Sequence, residues 1–517
     1  MSLQFITGNS GNGKTKYLFN RIVKEAKANP RDNYLVIVPE QFTMQTQRQL
    51  VDLSENKAIM NIDVLSFKRL AYRVFDELGI TNLTVLEETG KNLVLRKLAA
   101  QEADKLGVIG RNLNRIGYIS EVKSLLSELV QYNISPEELG RYIASGRLSD
   151  TLSDKLKDVL VLYEAFEKFM QDKYITAEEI LNVLCNVAEE SAILRNSVIA
   201  FDEFTGFTPI QNQLIKKLFV ISKKIYVTLT IDCREDIFKS RGMQELFDMP
   251  KRTVKSLTEM AAFYGIEVEE PIILDKNYRL AENEELSFME QQLFRKRRCS
   301  FKKVPKHIHI DCLRDPKQEL TKIARRINEL VRNENLRYRD IAIVTGDVNI
   351  YSGYVREIFD KYNIPYFIDA TQEILFHPFI EFIRSIPDIA AQNFSADAVF
   401  RFLRCGFSEL LDSEIDVLEN YVLACGVRGK SAWDKKWVRL PKHKAGYDLE
   451  LLNQSREYIM ELLKPVYQVF SDKKSTVKDY VLAIYKLIVL LDIPDKLAKK
   501  EQALLDAGDQ TASKEYG

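Results

Sequence analysis

LQFITGNSGNGKTKYLF, residues 3–19, joins a short apolar run to a glycine-rich turn and the basic start of a helix. Gly8, Gly13, Lys14 and Thr15 within it complete the pattern GxxxxGK[ST], a phosphate-binding loop. The spacing follows from the chemistry. Glycines let consecutive N–H groups of Gly8, Asn9, Ser10, Gly11, Asn12 and Gly13 curl around phosphate oxygens at a helix N-terminus, where the helix dipole also favours negative charge. Lys14 then reaches the β- and γ-phosphates and Thr15 offers its hydroxyl to Mg2+. ATP and Mg2+ are the cofactors this pattern implies.

Outward from the loop, a helix is expected to about Ala28, and NYLVIVP and MNIDVLSF supply two more buried strands. Short apolar runs alternating with helical periodicity predict a parallel α/β sheet, whose ligands collect at the carboxyl ends of its strands. The segments Pro39–Gln47 and Ser66–Phe75 follow such strands and are candidate site loops. From about Glu87 to Val187 the periodicity turns helical, as in LEETGKNLVLRKLA and SEVKSLLSELVQY. NSVIAFDEFTGFTPIQ then returns to the sheet, and Asp202 and Glu203 end its apolar strand. Beside a phosphate-binding loop, the first carboxylate holds Mg2+ through water and the second orients or deprotonates the attacking water. Thr208, Pro209 and Gln211 read as N-cap, first helical residue and capping-box partner.

KKIYVTLTID is a further strand. The most basic stretch, Arg295–His307, reads as a solvated linker or a phosphate contact. Strands IHIDCL, DIAIVTG and IPYFID, with helices between them, predict a second α/β unit that has no phosphate-binding loop. From about Ser395 the chain is helical again, and it stops in a helical pattern without a C-cap, which points to a truncated chain.

Composition sets the class. A chain of 517 residues, 46% apolar and 29% charged, calls for roughly two to four domains. No apolar run is long enough for a membrane span and no signal peptide precedes the loop, so a cytoplasmic address is expected. Lys+Arg and Asp+Glu both number 74, so any DNA site must be a local groove and not a basic face. Six scattered cysteines and four histidines make no metal set.

The order of the loop, VIVPEQFT, VLSFKRLAYRVF, ETGKNLVLRKL, FDEFTGFTPIQ, NEELSFMEQQLF, IAIVTG, IPYFID, FHPF and LENYVLACGVRG resembles the N-terminal part of the AddB subunit of bacterial AddAB helicase-nucleases. The resemblance implies RecA-like P-loop motor domains of superfamily 1 helicase type with large helical insertions. On that reading residues 1–86 and 190–295 form the first such domain, 87–189 a helical insertion, 300–392 the first part of a second domain, and 393–517 another helical insertion. It implies an AddA-type partner subunit, double-strand DNA ends and single-stranded DNA as substrates for recombinational repair, and a part in reading a regulatory sequence, Chi. The family's nuclease domain and iron-sulfur cluster belong to a C-terminal part that has no counterpart here.

Carried over by residue, Gly8–Thr15 resembles helicase motif I, and Asp202 with Glu203 resembles motif II. Lys14, Asp202 and Glu203 are then the catalytic candidates, with Thr15 and Asp202 at the metal. Gln41, Thr43, Phe67, Arg69, Tyr72 and Phe207 fall where such helicases meet single-stranded DNA, by stacking, by hydrogen bonding or, for Arg69, at a phosphate or a base edge. The residues themselves also fit core packing for the aromatics and helix capping for Thr43. Asn277, Tyr278 and Arg279 resemble the family's arginine-bearing motif without its usual preceding Glu.

Overall fold

The computed structural model describes all residues except 82–83, 111–115, 146–147, 172–173, 241, 296–298, 371–373, 442–445, 515 and 517. It divides into two compact units, Met1–Asp311 and Cys312–Gly517.

The first unit is built on a parallel sheet. Its strands are β1 (Ser2–Gly8), β2 (Tyr34–Ile37), β3 (Ile62–Leu65), β6 (Val198–Phe201), β7 (Lys224–Thr230), β8 (Glu267–Val268) and β9 (Ile272–Leu274), with β4 (Val85–Leu86) and β5 (Ile175–Thr176) forming a separate parallel pair. The order is β3-β2-β6-β7-β1-β8, and β9 extends the same edge beside β1. Every pairing is parallel. Parallel strands are covered on both faces, which is why these runs are almost continuously apolar. Leu3, Phe5, Leu35, Ile37, Ile199, Phe201, Ile225 and Val227 alternate onto one face, under helices 180–187, 209–221 and 248–263 and helix α3 (Phe67–Leu78). Ile6, Tyr34, Val36, Ala200 and Tyr226 turn to the other, where Leu18, Phe19 and Ile22 of helix α1 (Lys14–Ala28) and Leu50 of helix α2 (Thr43–Leu53) cover them.

Between β4 and β5 lies the helical block, with its own core of Leu95, Leu98, Leu126, Leu162 and Phe166. Asp158 ties it down: its buried carboxylate accepts the backbone N–H groups of Gly107, Val108 and Ile109 at 2.7–3.0 Å. Thr208 and Gln211 make the expected reciprocal capping box, with Pro209 opening the helix.

The region 300–392 departs from expectation. Helices Pro316–Asn333 and Val348–Lys361 form and pack through Leu320, Ala324, Ile327, Ile358, Phe359 and Ile364. The three segments expected as strands, IHIDCL, DIAIVTG and IPYFID, carry no ladder among the described residues. The reason is coverage. Ile341, Ile364 and Tyr366 lie against the helices, but Val344 and Phe367 are 92% and 88% exposed, so a strand there would have only one covered face. The remaining helices surround a core of Phe382, Phe402, Tyr421 and Trp433. No helix among the described residues is long and apolar enough to cross a membrane.

Lys296–Arg298 of the basic stretch lie outside the described residues. Around them, Arg295 pairs with buried Asp232 at 3.1 Å, Lys303 pairs with Glu284, and the N–H groups of Lys306 and His307 donate to Glu285. The described flanks of the stretch are thus engaged within the protein.

Candidate functional site

The loop after β1 turns sharply into α1, whose N-cap, Gly13, has φ 78° and contributes no side chain to the cap. The first-turn N–H groups are thereby left free of a capping side chain, the arrangement an anion uses. Lys14 folds back across the loop and donates to the carbonyls of Gly8 and Asn9, both at 3.0 Å. Burial lowers its pKa, outweighing the nearby carboxylates of Glu203 and Asp202.

Asp202 ends β6, and one strand, β7, stands between β6 and the loop strand. The register Phe201↔Val227 brings Asp202 beside Thr228, whose hydroxyl donates to Asp202 Oδ1. Thr15 Oγ1 lies 3.3 Å from that same oxygen and 3.3 Å from Glu203 Oε1. The chain thus brings together, across more than 180 residues of sequence, the hydroxyl and the two carboxylates that the motifs single out. Glu203 holds a left-handed backbone, φ 64°, a conformation that is strained for this residue and found at sites where side-chain direction matters.

Asp202 is 1% exposed, and its second oxygen, Oδ2, is buried without a hydrogen-bond partner. A hard cation is the natural complement of that oxygen. Mg2+ takes one or two protein oxygens and completes its shell with phosphate and water. Thr15 and Asp202 are the residues that would hold it.

Burial, foremost, raises the Asp202 pKa above that of the unfolded chain. The native state then binds the proton more tightly, so this contribution to stability is present below the unfolded pKa and is lost as pH rises through the folded one. Asp202→Asn keeps an oxygen for Thr228 and removes the buried charge. It is expected to raise the thermal midpoint of the first unit at neutral pH. Calorimetry across pH checks this: the gap from wild type should narrow as acid protonates the native carboxyl.

A cavity of about 820 Å3 opens over the loop, lined by Lys14, Thr15, Asp202, Glu203 and Thr228, by Gln45 and Gln49 of α2, and by Tyr278 and Arg279. Segment 274–279, which holds the residues resembling the arginine-bearing motif, straps the loop down. Asn277 Nδ2 donates to Ser10 O at 2.9 Å, Tyr278 N to Gly11 O at 3.0 Å, and Asn12 Nδ2 to Leu274 O at 2.5 Å. A Cβ on Gly8 would come within 2.6 Å of Leu274 O, and one on Gly11 within 2.8 Å of Arg279 Cβ. Close approach of this strap demands glycine there, independently of any phosphate. Asn9 serves as an anchor too, donating to Glu290 at 2.8 Å and accepting from Cys233 N at 2.9 Å. The side chains of Asn9 and Asn12 therefore hold the loop.

The six DNA candidates divide by burial. Gln41 and Arg69 are exposed, Tyr72 is 38% exposed and Phe207 is half-buried. They follow β2, β3 and β6, which are adjacent, so they share one carboxyl edge. Phe67 and Thr43 are turned to the interior. Phe67 is 7% exposed and packs its ring on Phe201, Phe204 and Phe207 at centroid distances of 5.5–6.3 Å. Buried Thr43 donates its hydroxyl to Glu40 O at 3.0 Å. The signal for Phe67 was present: 67, 70, 71, 74 and 75 form one apolar helical stripe, whereas Arg69 and Tyr72 lie off it.

Residues 5–290 match the family model described as "ADDB, N-terminal". The chain belongs to this family. Among its relatives are three proteins whose names make each of them the B-type subunit of an ATP-dependent helicase/deoxyribonuclease. The one from Lachnoclostridium phytofermentans is 38% identical over the whole chain and 46% of the relative. Those from Clostridioides difficile and Clostridium novyi are 32% and 31% identical, again over the whole chain, covering 46% and 45% of their own lengths. The chain spans about half the length of the curated relatives it matches. The family match runs through the loop, Asp202 and the strap, so the site just described lies within the shared region.

Proposed function

We propose that this chain binds Mg-ATP over the loop Gly8–Thr15 and single-stranded DNA along the β3–β2–β6 carboxyl edge. It acts as the helicase-like part of a helicase/deoxyribonuclease subunit that processes DNA ends with an AddA-type partner. The observation that carries this reading is the meeting of Thr15 with Asp202 and Glu203 at 3.3 Å.

Thr15 and Asp202 would hold Mg2+, which would supply charge neutralisation at the phosphates. The chain's own groups do the rest. Lys14 exchanges the carbonyls of Gly8 and Asn9 for phosphate oxygens, and the N-terminal N–H groups of α1 close around them. Arg279, on the wall of the cavity, adds a second positive charge to it. Glu203, exposed and aimed at Thr15, is placed to orient a water or accept its proton.

One feature favours a second reading, a DNA-recognition and partner-binding scaffold with a vestigial nucleotide site. The strap and the Lys14–carbonyl contacts already complete the loop without a nucleotide. DNA-stimulated ATP hydrolysis by the reconstituted pair separates the two. Under the first reading Glu203→Gln keeps nucleotide binding and reduces the share of hydrolysis due to this subunit by about 100-fold or more. Unchanged hydrolysis and unchanged end processing would favour the scaffold.

A further inference from the structure

Glu40 joins the two loops expected to meet DNA. It opens the short turn Glu40–Phe42 that follows β2, and it reaches the head of α3, which follows β3. One carboxylate oxygen accepts from Ser66 Oγ, and the other accepts from Arg69 Nε at 2.9 Å. Its backbone carbonyl accepts from Thr43 Oγ1. Ser66 is buried and caps α3, so the carboxylate is tethered to a fixed point of the fold. The Ser66 hydrogen bond, foremost, and then Arg69 hold the Glu40 carboxyl below its ordinary range against partial burial, which keeps it charged at neutral pH.

Arg69 is exposed, and a lone exposed arginine beside a single strand would be drawn first to phosphate. Here a carboxylate sits on its Nε side. That neighbour offsets much of the charge that attracts phosphate. It also leaves the two Nη groups as the edge for an outside acceptor, and two parallel N–H donors match O6 and N7 of guanine. An exposed ion pair contributes little to stability, so its worth lies in orientation.

We propose that Glu40 is a positioning residue that directs Arg69 to a guanine edge of single-stranded DNA and away from the phosphates. This rests on the nucleic-acid reading of the β3–β2–β6 edge.

The test is fluorescence anisotropy on the full chain with two oligonucleotides of equal length, oligo(dT) and alternating dT-dG, over a range of salt. Wild type should favour the guanine-containing strand, and Arg69→Ala should lower that affinity about tenfold while leaving oligo(dT) nearly unchanged. In Glu40→Gln the freed guanidinium should strengthen oligo(dT) binding several-fold, steepen the salt dependence by about one phosphate contact and shrink the guanine preference. These changes should vanish in the Glu40→Gln, Arg69→Ala double variant. A Glu40→Gln chain with wild-type salt slope and preference, or one whose altered binding survives loss of Arg69, overturns the Glu40 role alone. Binding of neither strand by wild type overturns the nucleic-acid reading and the Glu40 role with it. A merely structural Glu40 would change thermal stability and leave the preference and the slope in place.

Discussion

Nucleotide affinity is expected to fall about 100-fold or more in Lys14→Ala. The ammonium is the one fixed positive charge inside the loop, and exchanging its hydrogen bonds to carbonyls for bonds to a dianionic phosphate contributes roughly 3 kcal/mol. The fold should survive the change. Gly8 O also accepts from Ile231 N, and Asn9 O from Asn12 N, so neither carbonyl is orphaned when the amine is removed. Isothermal titration with Mg-ATP, alongside a thermal melt, checks both halves. Equal binding by wild type and variant would remove the proposed site, whatever the loop's sequence pattern.

The second large effect concerns stability. Phe67→Ala is expected to destabilise the first unit by about 3–5 kcal/mol, because it empties a ring-sized space between Phe201, Phe204 and Phe207 at the end of β6. Phe67→Leu keeps most of the volume and should lose less than about 1.5 kcal/mol. Urea unfolding measures both. Single-strand binding by Phe67→Leu should match wild type, since the ring does not reach solvent. A leucine variant of native stability with much weaker DNA binding would return the ring to the nucleic-acid edge and undo its assignment to the core.

Much of the first unit was legible in the residues. Largely apolar runs at 34–37, 62–65, 198–201 and 224–230 read as parallel strands, and they are. The loop pattern, the helix after it and the capping box at Thr208 are local matters of backbone conformation and hydrogen bonding within a few residues. The segments between 308 and 369 show the limit. IHIDCL, DIAIVTG and IPYFID have the composition of strands, yet a strand is a pairing, and composition does not supply its partner.

The site was legible in its parts and not in its assembly. Lys14, Thr15, Asp202 and Glu203 could each be named from spacing, but Thr228, the strap at Asn277 and Tyr278, and the Glu40 carboxylate against Arg69 have no local signature. Each depends on which strand lies beside which. The direction of a side chain adds a further condition, and it separates Phe67, turned inward on α3, from Arg69 and Tyr72 on the same helix.

By itself the sequence determined the glycine-rich loop, the parallel strands and the helix starts, because these follow from backbone preferences and apolar periodicity over short spans. Only the tertiary structure decided that Asp202 and Glu203 meet Thr15, that a strap demands the glycines of the loop, and that a carboxylate attends Arg69. Those contacts join residues tens to hundreds of positions apart, and strand order and helix facing set them once the whole core has packed.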